Sequence, residues 1–197
     1  EKSLFRVMPQ PTCPWPGDDA LMIDYHDTEW GVPVKDDLKL FEFLVLESAQ
    51  AGLSWKTILH KREGYRKLFA NFDPRKICKF DAQRVQTLLQ DPSIIRNRMK
   101  IEATIHNARL FLEVQKEFGS FSKYMWSFVQ HQPIDGQRKT LQDIPAITPE
   151  AALFAKDLKK RGFKFLGPTV VYAHMQAIGM VNDHLVRCFR HQAVRRQ

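Results

Sequence analysis

Residues 36–50, "DDLKLFEFLVLESAQ", constrain this chain more than any other stretch. Leu38, Phe41, Leu44 and Val45 recur at helical spacing, yet Leu40, Phe43 and Leu46 occupy the opposite side. A helix apolar nearly all round has to be buried, so the rest of the chain must fold around it. Helical periods also run through "DAQRVQTLLQ", with Asp81 as cap and Val85, Leu88 and Leu89 on one face. They continue in "MKIEATIHNARLFLEVQKEF" at Ile101, Ile105, Ala108 and Leu112. In "TPEAALFAKDLKKRG" Thr148 reads as the N-cap, Pro149 as the first helical residue and Gly162 as the stop. Only "GVPV" hints at extended chain, and no segment alternates strictly. The expected fold class is all-α, and the turn-rich "HQPIDGQRKTLQDIPAIT" reads as a connection between two helical lobes.

A chain of 197 residues can build one sizeable core, or two lobes that share one. No apolar run is long enough to cross a membrane, and "EKSLFRVMPQ" does not read as a secretory signal. Three cysteines are too few for a disulfide scaffold, so a reducing cytoplasm is the expected setting. The net charge of +8 is unevenly spread. Residues 1–55 carry 4 basic and 10 acidic side chains, whereas residues 56–109 carry 13 and 5. An acidic first quarter on a basic body fits a polyanion-binding surface beside a site of different character, or a merely solvated basic face.

Three motifs carry chemistry. His184 and Cys188 stand four apart in "VNDHLVRC", where a short helix capped by Asn182 would point imidazole and thiol the same way. Cys13 and His26 would complete a Cys2His2 set suited to tetrahedral zinc, although spacing alone equally allows two unrelated packed pairs. Glu47 ends the buried helix, and Trp15, Tyr25, Trp30 and Trp55 flank it in sequence. A desolvated carboxylate needs a partner. That partner is either a basic side chain of the protein or a flat, cationic ligand stacked between the aromatic rings. Finally, "KKRGFKFLGPT" brackets a tight turn with two glycines behind Lys159, Lys160 and Arg161. Such a turn presents backbone N–H groups to a phosphate, or simply joins two helices.

Taken in order from Cys13 to Cys188, "YHDTEWGVP", "LESAQAGLSW", "RGFKFLGPTVVYAHMQAIGMVNDH" and the Cys–His pairs closely resemble the 3-methyladenine DNA glycosylase I family. The resemblance implies a helix-hairpin-helix DNA glycosylase fold of two lobes with the DNA site between them. It implies one structural zinc ion held by Cys13, His26, His184 and Cys188, which clasps the two termini. Its base pocket falls on Trp15, Tyr25, Trp30, Glu47 and Trp55, with Glu47 as the catalytic carboxylate. Gly52 and Leu53 match the residues that fill the gap left by an extruded nucleotide, and Gly162, Lys164, Gly167 and Thr169 match the phosphate-gripping hairpin. Two departures stand out: Met22 where the family often has a second tyrosine, and Ser48-Ala49 before Gln50 in place of a Gly–Gln pair.

The implied organisation is a partly ordered extension over residues 1–12, a single domain over 13–190 and a basic tail over 191–197. The implied activity is hydrolysis of the glycosidic bond of 3-methyladenine in alkylated double-stranded DNA, releasing the free base, by a bacterial, cytoplasmic monomer. N3-methylation makes the base cationic, so it leaves as a neutral molecule with little need of a strong general acid. Related helix-hairpin-helix glycosylases carry a catalytic Asp beyond the hairpin glycine; the matching stretch, Arg187 to Phe189, holds Cys188 instead. Asp183 then reads as structural, and no lysine occupies an obvious nucleophile position, so hydrolysis without strand cleavage is expected. The rival classes are a non-catalytic zinc-stabilised DNA-binding module, a glycosylase of broader range and a hydrolase of free nucleosides. Release of free base from alkylated DNA separates them.

Overall fold

Leu40, Phe41, Phe43, Leu44 and Leu46 are each at most 1% exposed, so the central helix is buried on every side from Leu40 onward, whereas Leu38 in its first turn stays 48% exposed. This helix, α2 (Asp37–Ala49), starts at Asp36, whose carboxylate accepts the Lys39 N–H. The computed structural model describes residues 10–197, and residues 1–9 of the expected extension lie outside the described residues. Ahead of α2 lies α1 (Ala20–Thr28), capped by Asp19. After it come α3 (Trp55–Leu68), α4 (Pro74–Ile77), α5 (Ala82–Gln90) and the 21-residue α6 (Arg98–Phe118). Then follow α7 (Phe121–Trp126), α8 (Pro149–Lys160), α9 (Pro168–Ala177) and α10 (Phe189–Arg195).

Helix α2 touches α3, α6, α7 and α9, so helices from both halves of the chain share it. One hydrophobic core runs through both halves, from Ile58, Phe69 and Ile101 to Phe154, Val171 and Met175. Asp37 joins them: its carboxylate accepts the N–H groups of Phe121 and Ser122 and the Gln115 amide. The two backbone N–H groups are donors that the α7 N-terminus would otherwise leave unpaired. Asp81 and Thr148 cap α5 and α8, and Pro149 and Gly162 mark the start and stop of α8 as read from the sequence.

Three expectations are corrected. The 181–188 stretch is not a helix: Val181 and Asn182 form strand β2 (Val181–Asn182), which pairs in parallel with β1 (Ile134–Asp135). Asn182 does not cap a helix; it accepts the His184 N–H and donates to the His191 carbonyl, and Cys188 occupies the N-cap position of α10. Residues 191–197 are not a free tail either. His191 and Val194 are buried in α10, and His191 pairs with Asp135 at 2.9 Å. Lastly, "GVPV" forms no strand but runs against residues 178–179, with the Val34 N–H on the Ile178 carbonyl. Gly179 has φ +75°, and a Cβ there would sit 2.4 Å from the Val32–Pro33 peptide. No described helix is long and apolar enough to cross a membrane.

Candidate active site

A cavity of about 350 Å³ opens where the end of α2, the start of α3 and one side of α9 meet. Its walls are Trp15, Tyr25, Trp30 and Trp55, with Glu47 and Gln50 from the end of α2. The structure therefore gathers all five residues of the expected base pocket. Trp15 meets Trp30 edge-on at 5.1 Å between centroids, and Tyr25 lies 5.4 Å from Trp55 at a 45° tilt. Oblique contacts of this kind fix the rings while leaving their faces free for a further flat group. The slot's volume lies at the low end of small-ligand sites.

Glu47 is 4% exposed, and among the described residues it has no ion pair and no hydrogen-bond partner. Burial alone pushes its carboxyl up to about 8, so it is mostly neutral at pH 7 while the slot is free. Three further polar atoms around it, Trp15 Nε1, Trp55 Nε1 and the Tyr25 hydroxyl, are buried without partners. Buried polar groups are nearly always hydrogen-bonded, so four unpaired ones around a single cavity mark a place built to take a ligand. The alternative reading of Glu47, a structural salt bridge, has no basic side chain to make it. Nearby basic groups are engaged with other carboxylates: Arg62 binds Glu29 and Glu42, and Arg138 binds Asp183, which also takes Tyr172 and Gln176.

Sequence reasoning missed part of the lining. Leu141 and Ile144 reach the slot from the expected connection, and Ala173 and Gln176 reach it from α9. Two apolar residues three apart in an otherwise polar loop were a usable signal for the first pair. Met22 is buried in the core and does not line the slot. The Ser48 hydroxyl donates to the Val45 carbonyl, and Ala49 belongs to the core, so these departures stay behind the cavity wall.

The four Cys and His residues converge although 171 positions separate Cys13 from His184. Their candidate ligand atoms all lie within 4.8 Å of one another, and all four residues are buried. Separations of 3.2 Å (His184 Nδ1 to His26 Nε2), 3.6 Å (Cys188 Sγ to His26 Nε2) and 3.8 Å (Cys13 Sγ to His184 Nδ1) describe a small tetrahedron. Zinc–sulfur and zinc–nitrogen bonds of ~2.3 and ~2.1 Å produce edges of about this size. The outer nitrogens are held as well: His26 Nδ1 meets Asp27 at 2.6 Å, and His184 Nε2 meets the Trp30 carbonyl at 2.8 Å. Such outer contacts fix ring orientation at metal sites. Hydrogen bonding from Cys13, helped by the two imidazoles, holds the Cys188 sulfur as thiolate far below the ordinary thiol range. The donor set fits a metal ion.

The α8–α9 turn faces outward. Gly162 has φ +95°, a conformation that disfavours any side chain. Gly167 differs: a Cβ there would meet nothing of the protein, so open space lies before the α9 N-terminus. Lys159, Lys160, Lys164 and Thr169 are exposed around it. Asn107, unforeseen from the sequence, clamps Lys164 through both backbone groups at 2.9 Å. Arg161 is committed to Asp157 and Glu117. Gly52 and Leu53 form the tip of an exposed turn between α2 and α3.

Fold and site together define a helical protein with a buried aromatic slot, beside a carboxyl group, of a shape and size to accept a flat ring. The Methyladenine glycosylase family model matches residues 15–191, and the chain belongs to that family. It is 51% identical over 176 residues to DNA-3-methyladenine glycosylase 1 of Escherichia coli K12, spanning 89% of this chain and 94% of that protein. It is 48% identical to DNA-3-methyladenine glycosylase of Haemophilus influenzae, over 89% and 95% of the two chains. The structure of 3-methyladenine DNA glycosylase I from Staphylococcus aureus, which describes recognition of 3-methyladenine, superposes with a TM-score of 0.88 at 40% identity. That superposition covers 90% of this chain and 95% of the other.

Proposed function

We propose that this protein removes 3-methyladenine from alkylated double-stranded DNA by hydrolysing its N-glycosidic bond, releasing the free base and leaving an abasic site. Family membership and close relatives so named support the reaction. The observation that carries it in this chain is Glu47, buried without a partner in a slot of aromatic rings. A cationic ring entering the slot supplies the missing counter-charge, and stacking and cation–π attraction hold it between the walls. Glu47 then ionises and accepts hydrogen bonds from the base edge, assisted by whichever indole and phenol donors face acceptors. Neutral adenine offers no such charge, and its glycosidic bond stays strong; selectivity is that difference.

Among the described residues the slot's lining contains no lysine, which supports hydrolysis without a covalent Schiff base and without strand cleavage. The α8–α9 turn, read as the helix-hairpin-helix element, grips phosphates through Lys164, Gly162, Gly167 and Thr169. Gly52 and Leu53 fill the space vacated by the flipped nucleotide, a step that costs a few kcal/mol and least for a poorly paired base. Cys13, His26, His184 and Cys188 hold one zinc ion in a closed set of four ligands, which leaves no position for an activated water. Zinc therefore ties the ends of the fold and takes no part in hydrolysis. The deciding experiment is chromatography of alkylated duplex DNA incubated with the protein. A new peak of free 3-methyladenine, with strands intact until alkali is added, is the expected result; no released base overturns the reading.

A further inference from the structure

The turn between α2 and α3 hangs on one side chain. Leu53, 39% exposed, projects from a run of exposed residues, 51–54. Its N–H closes the turn on the Gln50 carbonyl at 2.6 Å, with Gly52 at φ +76°. The end of a helix leaves carbonyls without partners. Here Lys100 Nζ takes two of them, donating to Ala49 O at 2.9 Å and Ala51 O at 2.7 Å. Among the described residues no other side chain from outside the turn hydrogen-bonds its backbone between Ala49 and Leu53. Lys100 itself stands in the first turn of α6, where Asn97 accepts its backbone N–H. The tie therefore runs from an exposed, glycine-bearing turn to the longest helix of the fold. Its ammonium is partly withdrawn from water, and the desolvation lowers its pKa. Two of its three N–H bonds go to the protein's own carbonyls, which leaves little for a phosphate.

We infer that Lys100 is a positioning residue for duplex opening: it sets the turn that presents Leu53 to the stacked bases and takes no part in recognising the base. The inference rests on the reading of Leu53 as the residue that fills the gap. A wedge transmits force only when its base is fixed. With Lys100 removed, Ala51–Leu53 swing on the Gly52 backbone, and part of the penalty of holding the nucleotide out of the stack is no longer met. Among the described residues the ammonium makes no hydrogen bond, ion pair or cation–π contact with Glu47 or the aromatic walls, and of the slot's lining only Gln50 lies within the tied turn.

The test compares excision of 3-methyladenine from alkylated duplex and from alkylated single strands, with the affinity for free 3-methyladenine measured alongside. The proteins are wild type, Lys100→Met, Lys100→Arg, Leu53→Ala and the Leu53→Ala/Lys100→Met double variant. Lys100→Met is expected to lose about tenfold in kcat/KM on duplex, with less than about twofold change on single strands and in free-base affinity. Lys100→Arg recovers part of the loss, and the double variant is no worse than Leu53→Ala. Equal losses on duplex and single strands, or weakened binding of the free base, overturn the assignment and leave Lys100 as scaffold. If Leu53→Ala is impaired on duplex while Lys100→Met is not, the inference fails and the wedge reading stands. If Leu53→Ala matches wild type on duplex, the wedge reading itself fails and the inference falls with it. Should Lys100→Met melt well below wild type, Lys100→Gln takes its place in the same comparison.

Discussion

His184 Nε2 lies 2.8 Å from the carbonyl oxygen of Trp30, so a member of the Cys/His group holds the backbone of a wall of the base slot. A carbonyl only accepts, so Nε2 carries the proton and Nδ1 is free to face the cysteines and His26. Trp15 extends the link: its ring lies 5.4 Å from His26 and 5.1 Å from Trp30. Metal group and slot are thus one structural unit.

Metal removal should therefore damage binding as well as stability. We expect close to one equivalent of zinc per chain in the purified protein. Removing it, or making Cys188→Ser, should lower the melting temperature by about 10 °C, the equivalent of a few kcal/mol for a chain of this size. Affinity for free 3-methyladenine should fall in parallel, and calorimetry on the metal-free protein checks this. Unchanged base affinity after complete removal would show that the walls stand without the metal.

The outward face of the α8–α9 turn makes a different prediction. Lys159, Lys160 and Lys164 are exposed and unpaired among the described residues, so replacing each with Glu should weaken damaged and undamaged duplex alike. Each replacement should also reduce the slope of log affinity against log salt by about one. Arg161→Glu should behave otherwise, because Arg161 bridges Asp157 and Glu117 and lies over the Phe118 and Tyr124 rings. Its main effect should be a lower melting temperature. Filter binding across a salt series, with melting curves, separates the two behaviours.

Helices and caps were legible in the sequence because their signals are local. Asp81 and Thr148 each precede an apolar period, and short-range hydrogen bonds decide their role. The buried status of Glu47 was legible too, from the helix around it. What could not be read locally depends on residues far apart. The 134–135 and 181–182 strands are two residues each, and neither carries a β pattern without the other. The helical reading of 181–188 failed for this reason: pairing with Ile134 and Asp135 extends the chain before a helix can start. The Cys2His2 group was weak by spacing because its halves lie at opposite ends, and the family resemblance assembled it first. The tie from Lys100 to Ala49 and Ala51 left no sequence signal at all.

Acidity of the slot leads to a pH prediction. Glu47 must lose its proton to face a cationic base, and burial has pushed its carboxyl up to about 8. Below that value part of the binding energy goes into deprotonation, so kcat/KM for alkylated duplex should rise from pH 6 to pH 8 and then level off. Titrations in two buffers of different ionisation enthalpy should show close to one proton released per damaged site bound at pH 7. A flat profile with no proton release would mean that Glu47 is already ionised in the free protein.

Glu47→Gln brings these strands together. The amide keeps the shape but cannot carry the counter-charge. Charge-assisted hydrogen bonds are worth roughly 1.5–3 kcal/mol, so excision of 3-methyladenine should fall about ten- to hundredfold. Stability should move the other way. The carboxyl ionises near its ordinary value of 4.5 in the unfolded chain but only near 8 in the folded one. Its folded pKa is raised, so the stability present below the unfolded value is lost as pH climbs toward the folded value, at about 1.4 kcal/mol per pH unit. Neutral Gln escapes that loss, and an unpaired amide costs about as much to bury as an unpaired carboxyl. The variant should thus melt close to wild type at pH 5 and about 8 °C above it at pH 7, with the gap still widening toward pH 8. A structural salt bridge at Glu47 demands the opposite, a variant that melts lower and excises normally per folded molecule. Melting curves at three pH values and excision rates, measured on the one variant, decide between them.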